Sequence, residues 1–183
     1  MIKIAMLGRS KGNGHPYSWS AIFNGYDEKL MAKCPFPVIP EYLGKQDKST
    51  LQIQDARVTH IWAEDKKEAY RIAAASKIEN VVDRIEDVIG KVDAAIIGID
   101  IGEKHLEMAR PFLERGIPLF IDKPLTDNPE HLKEFAKYYY AGKLFMSCSG
   151  MRYSKELNKV KKDINKFGEI PLIVAYTPKS WAK

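Results

Sequence analysis

Asp93-Ala94-Ala95-Ile96-Ile97-Gly98-Ile99, then Glu103–Arg115, then Ile117-Pro118-Leu119-Phe120-Ile121-Asp122-Lys123-Pro124-Leu125, reads as strand, helix, strand. The first run is continuous and apolar, the pattern of a strand buried on both faces. The helix stops at Gly116, where a left-handed C-terminal cap is expected. The second apolar run ends in a charged pair and a proline. Pro124 pushes Lys123 towards an extended backbone, so Asp122 and Lys123 sit where a strand passes into a loop. In an open parallel sheet, ligands bind outside the carboxyl ends of the strands. An acid and an amine at that edge suit a ribose and proton or hydride chemistry.

The same alternation runs outward from this unit. Ile2–Leu7 reads as a short buried strand, followed by a loop and a helix opening at Pro16. Val58–Trp62 is a second strand, and Lys66–Ser76 a helix with Ala69, Ile72 and Ala73 inward. Asn80–Val82 is a short third strand before a helical turn at Ile85–Ile89. Beyond Leu125 come helix Pro129–Ala141 closed by Gly142, strand Leu144–Cys148, helix Ser154–Phe167 closed by Gly168, and a last strand, Ile170–Tyr176. Strands alternating with helices of about ten to fifteen residues imply a parallel sheet wound on both faces, an α/β nucleotide-binding architecture of Rossmann type. The connection from Gly25 to Ala56 breaks the rhythm. It takes about thirty residues where two to six are usual, and is expected to shape a pocket or an interface.

Composition sets the class. With 183 residues and 45% hydrophobic side chains, the chain has material for one domain and part of another. The division expected is a dinucleotide-binding domain at 1–150, then a linking helix and the start of a second, α+β domain at 151–183. The mean hydropathy of -0.33 is that of an ordinary globular protein, and no apolar run approaches a membrane span. The start is too short for a signal-peptide core. The two cysteines, Cys34 and Cys148, match no metal or redox spacing. A cytoplasmic setting and no metal site are the expectations. The net charge of +5 is local: residues 1–150 carry 21 basic and 21 acidic side chains, the last 33 carry 8 and 3. Lys155, Lys159, Lys161, Lys162 and Lys166 interleave with Leu157, Val160, Ile164 and Phe167 at helical spacing, so they read as a solvated helix face. Nucleic acid is not an expected partner.

Between the first strand and first helix lies Gly8-Arg9-Ser10-Lys11-Gly12-Asn13-Gly14-His15-Pro16. Gly8, Gly12 and Gly14 let the backbone turn and approach a pyrophosphate, Ser10 offers a hydroxyl, and the helix start at Pro16 offers N–H groups to the charge. His15 is a candidate contact to phosphate or substrate. The spacing is not G-x-G-x-x-G. At the end of the second strand Glu64 is assigned to the adenosine ribose, which favours NAD over NADP slightly, and Asp65 to the cap of the next helix.

With these residues in view, the chain resembles the glucose–fructose oxidoreductase / inositol dehydrogenase (Gfo/Idh/MocA) family. Asp122-Lys123-Pro124-Leu125 resembles the family's Glu-Lys-Pro-Leu segment after the fifth strand, and Asp93–Ile99 with Leu106-Glu107-Met108-Ala109 resembles the strand and helix before it. His105 stands where the family often has histidine. Arg152-Tyr153, Leu157 and Gly168-Glu169-Ile170 resemble the entry to the family's second domain. The resemblance implies an NAD- or NADP-dependent oxidoreductase acting on a sugar, polyol or related hydroxy compound. By the same resemblance Lys123 would be the catalytic lysine, close to the nicotinamide ribose, Asp122 would steady that ribose, and Pro124 would be a further cofactor-binding residue. Asp100-Ile101-Gly102 replaces the Thr-Pro-Asn-like stretch that lines the cofactor in the family, and Ala63 stands where many members carry the ribose acid. Family members continue past the Gly-Glu-Ile strand into a sheet with a histidine and an aspartate for proton transfer, and this sequence reaches Lys183 before such a motif. Read so, the 183 residues alone are expected to bind cofactor without turnover, and the last strand to seek an edge partner, giving homo-oligomers. The alternative is a non-catalytic dinucleotide-binding scaffold.

Overall fold

The computed structural model describes residues 1–174, and two units separate within the chain, Met1–Cys148 and Ser149–Lys183. The first unit is built on six parallel strands: β1 (Ile2–Leu7), β2 (Ala56–Trp62), β3 (Asn80–Val81), β4 (Ala94–Ile97), β5 (Leu119–Ile121) and β6 (Phe145–Met146). Their order across the sheet is β3-β2-β1-β4-β5-β6. β1 is bonded on one side to β2, from Ile2 opposite Ala56 to Leu7 opposite Trp62, and on the other to β4, from Ile4 opposite Ala94 to Leu7 opposite Ile97. After β1 the chain winds one way to β3, then crosses and winds the other way. The carboxyl ends of β1 and β4 therefore flank the crevice where the winding reverses, the ligand position of such sheets.

The helices divide between the two faces as strand periodicity requires. Successive side chains alternate along a strand, so Ile4 and Met6 join one core and Ala5 and Leu7 the other. The first core takes Tyr17 and Ala21 of α1 (His15–Asn24) and Ile72, Ala73 and Ala75 of α4 (Lys66–Ala75). The second takes Leu106, Ala109, Phe112 and Leu113 of α5 (Gly102–Glu114) and Phe135 of α6 (Pro129–Tyr140). Asp65 accepts from the Lys67 N–H and caps α4, and Asn128 does the same for α6. Gly116 follows α5 with φ +72°, the left-handed turn foreseen for it.

The connection from Gly25 to Ala56 is folded. It holds α2 (Glu28–Met31), α3 (Val38–Gly44) and a 3-10 turn at Lys48–Thr50, and it buries Met31, Ile39 and Leu43 in the first core.

In the second unit a 3-10 turn at Gly150–Tyr153 precedes α7 (Lys155–Lys162), capped by Ser154, and a second 3-10 turn covers Ile164–Phe167. The single helix expected over Ser154–Phe167 is thus split at Asp163, an acid at a helix C-terminus, where the dipole disfavours it. Leu157, Val160, Ile164 and Phe167 are exposed. The strand expected at Ile170–Tyr176 is corrected over its described part. Residues 170–174 form no strand and pair with no other strand among the described residues, and residues 175 and 176 lie outside the described residues. Among the described residues no helix is long and apolar enough to cross a membrane.

Candidate dinucleotide site

Gly8 ends β1 with its N–H on the Trp62 carbonyl, 2.8 Å away, and turns with φ +85°. A Cβ there would lie 2.6 Å from the Ile99 side chain, so only glycine lets the loop close over the end of β4. Gly12 has φ +83°, and a Cβ built on it would meet nothing within 4 Å. That position is tight in backbone conformation yet open in space, as a loop must be where a ligand comes close. A Cβ on Gly14 would lie 2.5 Å from Ile39 and 3.0 Å from Phe36. The folded 25–56 connection thus buttresses the glycine loop from behind. Phe36 also receives the Arg9 guanidinium over its ring at 5.4 Å, and Arg9 faces Glu68 at 3.4 Å.

The helix start supplies less to an anion than its position suggests. The His15 N–H goes to Asn13 Oδ1 at 2.9 Å, Pro16 has no N–H, and the Tyr17 and Ser18 N–H groups bond back to the Gly14 carbonyl. The loop N–H groups of Arg9, Ser10, Lys11, Gly12 and Gly14 have no partner among the described residues, and of these Gly12 and Gly14 are the glycines. Ser10 is committed too: its hydroxyl donates to Asp100 Oδ1 at 2.5 Å and accepts from the Asp100 N–H at 3.2 Å. This pair ties the loop after β1 to the loop after β4.

Asp122, at the end of β5, departs furthest from its expected place at a ribose. Its side chain is 1% exposed, while that of Lys123 is 50% exposed. Asp122 Oδ2 accepts from Asn13 Nδ2 at 2.9 Å and lies 2.5 Å from His15 Nδ1, and Oδ1 accepts from the Lys123 N–H at 2.8 Å. The Lys123 ammonium lies 3.9 Å from Oδ1. Burial pushes the Asp122 carboxyl up, but hydrogen bonds from His15 and Asn13, aided by the charges of His15 and Lys123, outweigh it and hold it below the usual range. The carboxylate is a hub that gathers the glycine loop, α1 and the end of β5, with no free face for a sugar. Asn13, the residue that makes this possible, carries no signal in the sequence beyond its place in a glycine-rich loop.

The remaining candidates fall around the same edge. The Lys123–Pro124 peptide is cis. His105 is fully buried in α5, with one ring nitrogen 2.9 Å from the Ile99 carbonyl and the other 3.0 Å from the Leu125 carbonyl. It pins the loops after β4 and β5 together. Glu64 is exposed and paired with Lys104 at 2.9 Å. It lines a cleft of about 390 Å³ with Trp62, Asp83, Arg84, Ile85 and Met108, beyond the end of β2. No group of acids, histidines and cysteines among the described residues is placed to hold a metal ion.

A six-stranded doubly wound parallel sheet with a glycine loop at its switch point defines a dinucleotide-binding domain of Rossmann type. Residues 41–144 match the model of the oxidoreductase family GFO_IDH_MocA, NAD-binding Rossmann fold, and the chain belongs to that family. Similar solved structures include scyllo-inositol dehydrogenase from Lactobacillus casei with bound NAD(H) and scyllo-inositol, with TM-score 0.65 and 17% identity over 91% of this chain and 41% of that one. Myo-inositol 2-dehydrogenase from Lactobacillus plantarum gives TM-score 0.63 and 18% identity over 90% and 41%. UDP-N-acetylglucosamine 3-dehydrogenase GnnA from Acidithiobacillus ferrooxidans gives 0.53 and 13% over 80% and 37%. The chain thus spans about two-fifths of the length of these structures. No curated protein matches it in sequence.

Proposed function

We propose that this chain is the cofactor-binding part of an NAD(P)-dependent oxidoreductase, acting between a nicotinamide and a sugar, polyol or related hydroxy compound. The observation that carries the proposal is the Gly8–His15 loop at the switch point, open at Gly12, with Lys123 exposed two strands away. The Gly12 and Gly14 N–H groups would hold the pyrophosphate, and Glu64 with its cleft would hold the adenosine. Lys123 would stand at the nicotinamide ribose and the substrate oxygen. When bound, the nicotinamide supplies the hydride donor or acceptor. The Lys123 ammonium stabilises negative charge developing on the substrate oxygen. A carboxylate at the adenosine ribose accepts from its hydroxyls and repels a 2′-phosphate, which favours NAD. A scaffold without chemistry has no use for an exposed amine at this edge, which sets that alternative second.

Fluorescence titration of NADH and NADPH tests the reading. NADH is expected to bind more tightly than NADPH. Gly12→Val, which puts a branched side chain into the open side of the loop, is expected to weaken NADH by about tenfold or more, 1.4 kcal/mol. Glu64→Gln is expected to narrow the gap between the two cofactors. Absence of binding by either cofactor would overturn the proposal, and NADPH preference would overturn its NAD assignment.

A further inference from the structure

Two basic groups share the buried Asp122 carboxylate. His15 Nδ1 is on Oδ2 at 2.5 Å and the Lys123 ammonium is 3.9 Å from Oδ1. Asp122 is held in its ionised form, and an ionised carboxylate can only accept, so the proton between it and His15 belongs to Nδ1. That fixes the tautomer: neutral His15 keeps its lone pair on Nε2. The ring is fixed as well. Trp19, one turn along α1, stacks on the imidazole at 4.3 Å and 12°, and its own edge meets Phe120 of β5 at 5.5 Å. The His15 side chain nevertheless keeps 34% of its surface exposed, while the acid behind it has 1%. An imidazole with one nitrogen on a buried carboxylate, one face stacked and the other nitrogen without a partner among the described residues is the arrangement of an oriented acid–base group.

Resting on the cofactor reading above, we propose that His15 is the acid–base residue for the substrate hydroxyl, with Asp122 its positioning residue and Lys123 beside it. In the oxidation direction the hydroxyl proton would pass to His15 Nε2, and a bound oxidised nicotinamide would supply the acceptor for the carbon's hydride. The alcohol becomes a carbonyl, and the imidazolium releases its proton to solvent. Asp122 stays ionised throughout and stabilises the charged ring. The competing role for the same imidazole is a phosphate contact, and the two roles place different ligands on Nε2.

Nitrogen-detected NMR of the ¹⁵N-histidine-labelled chain separates them. The expected result for the free protein at alkaline pH is the Nδ1–H tautomer, shifted towards Nε2–H in Asp122→Asn. NADH is added first, its binding read independently by fluorescence, and then scyllo-inositol in large excess. Nε2 is expected to hold its position with NADH and move with the polyol. A free protein in the Nε2–H form overturns the proposal without any ligand or variant. An Nε2 resonance that moves with NADH alone and ignores the polyol makes His15 a phosphate ligand and overturns it too. Failure of NADH to bind is a failure of the cofactor reading, and is seen separately in the fluorescence.

Discussion

Asp122 collects hydrogen bonds from Asn13, His15 and the Lys123 backbone in a place that water barely reaches. Removing its charge leaves donors facing a weaker acceptor, at a cost of about 1–3 kcal/mol at neutral pH. The carboxyl is held below its ordinary value, so the folded protein binds this proton less readily than the unfolded chain. Its stabilisation is therefore complete above the unfolded aspartate value of about 3.9 and is lost as pH falls through the lower folded value. Asp122→Asn should unfold at lower urea concentration than wild type at neutral pH, and the two midpoints should converge in acid. A gap that stays constant into strong acid would show that the carboxylate charge contributes nothing. At this scale the sequence was legible in part. Asp122 and Lys123 stand out because Pro124 fixes where the strand stops. Nothing local in the sequence says that Asp122 turns inward, because that depends on Asn13 and His15, more than a hundred positions away along the chain.

The helix starts are the most readable elements, because a cap is a contact between near neighbours. Asp65, read as the N-cap of the fourth helix, accepts from the Lys67 N–H at 2.9 Å. Asp65→Ala should lower the stability of the chain by about 1 kcal/mol, seen as a fall in Tm, and Asp65→Asn should restore most of it. An unchanged Tm in Asp65→Ala would mean that α4 is held by packing alone. Strands buried on both faces, such as β4, are legible from their unbroken apolar runs. The connection at 25–56 is not, because helices of four and seven residues are too short for a 3.6-residue period to declare itself. Their burial is decided by the sheet they lie on. Residues 170–174 illustrate the converse: an apolar run makes a strand only where another strand receives it.

Across the whole molecule the sheet order brings loops from β1, β4 and β5 to one edge, and each is tied to the next. Ser10 and Asp100 join the first two, His105 joins the second and third, and Asp122 with Asn13 and His15 joins the third to the first. On the proposed reading this edge receives the cofactor. The inositol dehydrogenases this chain resembles are chains more than twice as long, of which it spans 41%. Since orientation of both reactants supplies much of an enzyme's acceleration, the 183-residue chain should bind NADH yet turn over scyllo-inositol negligibly, read from NADH formation over hours. Sustained turnover abolished by Lys123→Ala would show that these residues suffice for the substrate as well.

If the edge formed by β1, β4 and β5 is a dinucleotide site, a crystal structure of the chain with NADH will place the nucleotide there. The pyrophosphate is expected on the Gly12 and Gly14 N–H groups, the adenosine in the cleft beside Trp62 and Glu64, and the nicotinamide ribose near Lys123. Nucleotide bound elsewhere on the molecule, or an empty crevice at saturating NADH, would contradict it.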